Sequence, residues 1–260
     1  MSSGDRTVMC GQVALMTVTL SCAFASLPAS VSAQQILSES SGFISINGGF
    51  KATSTDFADN VRFTLFVEEG DFDARYQVET GPTFDVNGGA RVWRNFALGG
   101  GVSVFSKDAT ANVSARLPHP FFFNQHRDVS GGAQDLARRE VALHIQALWM
   151  TPVNARFNVT VFGGPTFFTI DQDLTEAVEF AEVFPFDTTE FTGVSTVTAS
   201  ESTVGFNIGV DVGFYFSEHV GVGGLVRFSS ASVDFTSPDG DVVPADVGGL
   251  QTTGGLRVRF

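Results

Sequence analysis

The chain has little charge, few histidines, and no cysteine outside its first 33 residues. Both cysteines, Cys10 and Cys22, lie in that segment, so its removal would leave no thiol for a disulfide framework or for thiolate chemistry. Beyond the same segment no apolar run approaches the roughly 18 residues that a transmembrane helix needs. Charged residues make up 17% of the 260, and the net charge is −13, which excludes nucleic acid as a natural partner. No EF-hand spacing, nucleotide loop or metal-ligand motif is present, and the sequence predicts no cofactor.

What is present is glycine, at 28 residues, and phenylalanine, at 27. The mean hydropathy is slightly positive. A chain this apolar without a long apolar run spreads its hydrophobicity thinly, as alternating strands do. The first 33 residues read as a secretory signal: Arg6, an apolar stretch from Val13 to Leu27, then Val31-Ser32-Ala33 before Gln34. Cleavage is expected between Ala33 and Gln34, giving a signal peptide over 1–33 and a barrel domain over 34–260. Cys22 after Thr19-Leu20-Ser21 is only loosely like a lipoprotein box. Asp5 and Arg6 leave together, so the mature chain stays at −13.

From Gly42 onward, apolar residues alternate with small or polar ones in segments about ten long. The clearest runs Val204, Phe206, Ile208, Val210, Val212, Phe214 on one face and Gly205, Asn207, Gly209, Asp211, Gly213, Tyr215 on the other. A soluble sandwich would bury the apolar face; a membrane barrel turns it to lipid. Eight segments are predicted, near 43–52, 75–93, 96–106, 139–150, 157–170, 203–216, 220–235 and 247–260. Between them, short connections (Arg94-Asn95, 151–156, 217–219) alternate with long ones (53–74, 107–138, 171–202, 236–246). That order is expected of tight periplasmic turns and long external loops, and a sandwich has no reason to keep it. The prediction is an all-β, antiparallel, up-and-down transmembrane β-barrel of eight strands.

Both tryptophans, Trp93 and Trp149, stand beside short turns with Phe96, Phe157, Phe216 and Phe260, as an interfacial aromatic girdle would. Strict alternation points Trp93 inward, so its place in a girdle implies either a bulge there or a different register. In the last strand Thr253, Gly255, Val258 and Phe260 fall in a polar, glycine, apolar, aromatic order similar to the signal by which outer-membrane barrels are recognised for assembly. With stretches such as Asn87-Gly88-Gly89-Ala90-Arg91-Val92-Trp93, the chain over about 42–260 resembles the small outer-membrane barrel family of the OmpA membrane domain, OmpX and the opacity-type adhesins. That resemblance implies a monomer or small assembly in the outer membrane, in contact with lipid, lipopolysaccharide and the barrel-assembly machinery. It selects no single role.

An eight-stranded barrel is filled by its own side chains. Counting from the short turns places Lys51, Asp85, Ser103, His144, Asp211, Arg227 and Gln251 on the inward face at mid-height. They are expected to form a polar layer that plugs the lumen, with Asp211 and Arg227 bridged. Outside, 171–202 carries eight carboxylates, a solvated and self-repelling segment. Leu174, Val178 and Ala181 there suggest a short surface helix, and Phe121-Phe122-Phe123 are expected to pack against the rim. Three functions compete: a structural or adhesin-like surface barrel binding an extracellular ligand through its loops, a narrow porin-like channel, and, remotely, a rim enzyme acting on lipid. His119, His126 and His219 have no triad context, so the reading is not an enzyme.

Overall fold

The computed structural model describes residues 41–260, and the signal segment with Ala33 and Gln34 lies outside them. Ten strands form one antiparallel sheet: β1 (Gly42–Lys51), β2 (Thr55–Leu65), β3 (Glu68–Val78), β4 (Gly81–Trp93), β5 (Phe96–Pro118), β6 (His126–Pro152), β7 (Phe157–Val183), β8 (Thr188–Tyr215), β9 (Val220–Thr236) and β10 (Val242–Arg259). Eight of them close the wall: β1 pairs β4, each of β4 to β9 pairs its successor, and β10 returns to β1. The hairpin β2–β3 stands above β1 and β4, and β3 pairs the upper part of β5.

The long connections are strand for most of their length. β5 and β6 run on to a turn at 119–125, and β7 and β8 to a turn at 184–187. The helix suggested by Leu174, Val178 and Ala181 is part of β7. Register shifts between Thr175 and Ala177 and between Glu179 and Phe180 break the period of two there, and so imitate a helical one.

Alternation continues along these strands while the chemistry of the two faces exchanges. In the lower half of β7, Val161 and Phe167 face out, and Thr160 and Thr166 face in. Higher up, Thr169, Asp171 and Asp173 face out, while Phe168, Ile170 and Leu174 are buried. β9 does the same, with Val222, Val226 and Phe228 outside below and Ser232 and Asp234 outside above. The lower band from Leu250 to Phe260 is ten residue steps, about 25 Å of height once strand tilt is allowed for, which is the thickness of a membrane's apolar layer. Lipid outside demands a polar interior there; water outside demands an apolar one above. The upper half is accordingly an ordinary buried core around Phe57, Phe72, Tyr76 and Phe235.

At the lower rim Trp149, Phe216 and Phe260 are exposed. Trp93 joins them because the β4–β5 register slips between Arg91 and Trp93, and the ring is turned outward, 66% exposed.

Candidate functional site

Two places concentrate chemistry: the lumen of the lower half and the far ends of the hairpins. In the lumen, Arg227 on β9 reaches across to β4. Its Nη1 donates to Asp85 Oδ2 at 2.6 Å and its Nη2 to Asn87 Oδ1 at 2.7 Å. The other Asp85 oxygen accepts from Asn47 at 3.0 Å and from Asn87. Both members of the ion pair are fully buried. One level down, Arg257 on β10 grips Asp211 of β8 through Nη2 at 2.5 Å and Nε at 3.2 Å, and donates to Asn47 Oδ1. One level up, Glu140 on β6 accepts from Lys51 Nζ at 2.9 Å on each oxygen and from Arg138 Nε at 2.8 Å. These three carboxylates each hold a cation, as charges out of water must.

His144 sits between these levels. Thr166 Oγ1, which receives a hydrogen bond from Asn207 Nδ2 at 2.8 Å, lies 2.9 Å from His144 Nδ1; His144 Nε2 lies 3.0 Å from Ser103 Oγ. Each ring nitrogen thus has a hydroxyl partner, whichever of the two carries the proton. This is a satisfied chain of neutral groups, with no carboxylate to stabilise an imidazolium.

All the expected layer residues face inward. Two are joined differently from the expectation. The register does set Asp211 opposite Leu225 and diagonal to Arg227, yet Arg227 goes to Asp85 and Asp211 to Arg257. Asp85 lies between two asparagines, which offer Arg227 a second acceptor. Gly223 clears the way for Arg257, since a Cβ there would stand 3.0 Å from its Nε. Gln251 is buried beside Lys51 and Arg227 in register, but its Oε1 is unpartnered. Glu140, Arg138 and Arg257 were missed. The parity that sends His144 inward also sends Arg138 and Glu140 inward; the predicted strand began at 139, which left out Arg138, while Glu140 lay within it and was passed over. Arg257 was passed over because it lies below mid-barrel.

Below the network the lumen narrows to small spaces. One cavity of about 30 Å³ lies among Leu148, Phe162, Leu225 and Arg257, and another of about 10 Å³ among Phe43, Arg91 and Met150. Each has room for little beyond water. Above it, Phe57 stacks on Tyr76 at 4.6 Å, and Tyr76 accepts the Thr175 amide at 2.7 Å.

At the far ends, Phe121, Phe122 and Phe123 are 66%, 54% and 74% exposed, not packed on the rim as expected. Phe184 is 84% exposed, and Phe186 joins Phe121 edge-on at 5.4 Å. The two hairpin ends are locked together beneath these rings. Buried Arg127 pairs with Glu182 and donates to the carbonyls of Phe186 at 3.2 Å and Pro118 at 3.0 Å. His119 Nδ1 accepts the amides of Phe121 and Phe122 at 3.1 and 3.3 Å, which fixes the turn that displays them. The third end, Phe66-Val67, takes positive φ at both residues, 52° and 71°. That suits a two-residue hairpin of Asn-Gly type and strains a β-branched residue. The outer carboxylates lie along the walls below: Asp171 and Asp173 accept from Ser200 and Thr198 at 2.6 Å. Among the described residues no group of three or more metal-ligating side chains converges.

A closed antiparallel wall with an apolar outer belt and a polar, charge-paired interior defines an eight-stranded transmembrane β-barrel of the outer-membrane class. No protein-family model and no curated relative matches the sequence. Among solved structures, the chain is similar to OprG from Pseudomonas aeruginosa, at 10% identity over 85% of this chain and 96% of that one, with a TM-score of 0.48. It is also similar to Neisserial surface protein A, at 9% identity over 84% and 97% (TM-score 0.44), and to the attachment invasion locus protein Ail of Yersinia pestis, at 10% identity over 84% and 99% (TM-score 0.35).

Proposed function

We propose that this barrel is a surface-interaction protein: its lumen is plugged, and it engages an extracellular partner through the aromatic ends of its hairpins. The observation that carries the reading is the set of exposed rings at the far end, above all Phe121, Phe123 and Phe184. They sit at the pole farthest from the lipid, on turns fixed by Arg127 and His119, so a partner would pay little to order them. Phe66-Val67 adds two apolar residues in a strained turn, where Asn-Gly would serve folding better. Local rules broken in one place are the mark of a binding surface.

The channel reading has less support. The network around Arg227 fills the lower lumen and an apolar core fills the upper, which supports a closed interior over a wetted path. A lipid-modifying enzyme has less still, because Ser103 and His144 are buried and their third partner is a threonine. The same proposal includes export by cleavage after Ala33, insertion by the assembly machinery through the Thr253, Gly255, Val258, Phe260 pattern, and a monomer set among outer-membrane lipid and lipopolysaccharide.

The test is surface plasmon resonance of nanodisc-embedded protein over immobilised extracellular-matrix proteins. The proposal expects binding that falls at least tenfold in Phe121→Ser/Phe123→Ser/Phe184→Ser, with heat-modifiable gel mobility unchanged. Binding that the triple substitution leaves intact would overturn it.

A further inference from the structure

At the outer edge of the apolar belt the wall has a seam. Beyond the Lys51–Gln251 pair, Leu250 still accepts the Ala52 amide at 2.7 Å and donates to Thr53 Oγ1 at 2.9 Å; above that, β10 is paired along its length with β9. β2, rising beside it, is paired with β3 alone. Two strand edges therefore face each other, and at their upper end the β9–β10 turn is tied to β2: Ser237 Oγ donates to both oxygens of Asp59, at 2.9 and 2.8 Å, and Asp239 accepts the Arg62 amide at 3.0 Å.

At the foot of this seam is a notch of about 280 Å³. Gly248 and Gly249 form one side with φ of +91° and +114°, a conformation that other residues avoid. The opposite side is Thr53, Ser54, Thr55 and Asp56, and Ser230 and Asp246 complete the wall. Ser229, in the same wall, is fully buried and its hydroxyl has no partner. Phe228 forms the floor, and its outer surface belongs to the apolar belt, as does that of Phe50. Hydroxyls and two carboxylates line the notch, and among the described residues no lysine or arginine does.

We propose that this notch binds the sugar headgroup of an outer-leaflet glycolipid, with its acyl chains lying against Phe50 and Phe228. Three features select that occupant. The notch lies where lipid tails give way to headgroups, so a ligand with one polar and one apolar end fits its surroundings. Carboxylates and hydroxyls accept and donate to sugar hydroxyls, and charge-assisted bonds from sugar hydroxyls to Asp56 and Asp246 are the strong ones. Without a cation in the wall, a bare phosphate would meet only like charge. The inference uses the barrel's position in the membrane and is independent of the aromatic hairpin ends.

Native mass spectrometry of the protein released from nanodiscs tests it, with galactosyl diacylglycerol, phosphatidic acid and free methyl galactoside as probes. Retention of galactosyl diacylglycerol should fall at least tenfold in Asp56→Asn/Asp246→Asn. It should be lost in Ser230→Trp, which fills the notch, and be unchanged in Asp108→Asn on another part of the outer wall. Heat-modifiable mobility checks that each variant is folded. Equal retention of phosphatidic acid, or retention indifferent to both notch variants, would overturn the proposal. Free methyl galactoside displacing the lipid completely at equal concentration would overturn the lipid as source and leave a soluble saccharide in its place.

Discussion

Removing the Arg227 guanidinium strands Asp85 in a lumen where it has two asparagines and, among the described residues, no other cation within bonding distance. Arg227→Ala should therefore cost about 3–5 kcal/mol, the usual penalty for an uncompensated buried charge, read as a fall in the urea midpoint of the refolded barrel in detergent micelles. Asp85→Ala should cost a similar amount, and the double variant less than the sum. The cycle also separates partners, because Asp211→Ala should couple more strongly to Arg257→Ala than to Arg227→Ala, which it meets only through Asn47 and Asp85. Stronger coupling of Asp211 to Arg227 would contradict the observed pairing. At the seam, burial pushes the Asp59 carboxyl above its ordinary value, and Ser237 opposes this only in part. The folded protein thus binds this proton more tightly than the unfolded chain. The stability it contributes is complete below the unfolded value and is lost as pH rises through the folded one. Asp59→Asn keeps the shape without the charge, so it should stabilise the barrel at neutral pH and flatten the loss of stability between mildly acidic and neutral solution. A thermal melt at pH 7 that drops in Asp59→Asn would count against this.

Among the elements, the hairpin β2–β3 offers the plainest test of strain held for a purpose. Replacing Phe66-Val67 with Asn-Gly should raise stability by about 1 kcal/mol, since both positions have positive φ. Unchanged or lower stability would mean that those side chains contribute to the fold. For β10, deleting Phe260 should impair insertion far more than deleting Phe122, read from heat-modifiable gel mobility. Phe260 exchanges two backbone hydrogen bonds with Gly42 at 2.8 and 3.0 Å, and it closes the barrel at the lower rim. How far these elements could be read from the sequence depended on the surroundings of each strand. Val204 to Phe214 kept one alternating pattern because lipid lies along the whole run. In β7 the pattern exchanged faces after Phe168 and slipped twice near Thr175 and Glu179, so strand was taken for loop and helix. Arg138 was lost at such a boundary, one residue before the predicted start of its strand, whereas Glu140 lay within the strand and was overlooked. Asp85, Lys51 and Arg227 were found by parity alone, but which acid meets which base depended on reach across the lumen, which no one-dimensional count contains.

On the scale of the whole molecule, one closed wall serves two solvents. Where lipid surrounds it the apolar residues face out and the charges pair within; where water surrounds it the faces exchange and the interior becomes an apolar core. Both interiors are filled, the lower by Arg227, Arg257, Glu140 and their partners and the upper by Phe57, Tyr76 and Phe235. The proposed function is that a barrel built this way displays its ends and does not conduct. Planar-bilayer recording of the refolded wild-type protein tests it most directly. The expected result is insertion without a stable open level, and current steps appearing in Arg227→Ala. A steady wild-type conductance that Arg227→Ala leaves unchanged would contradict the account.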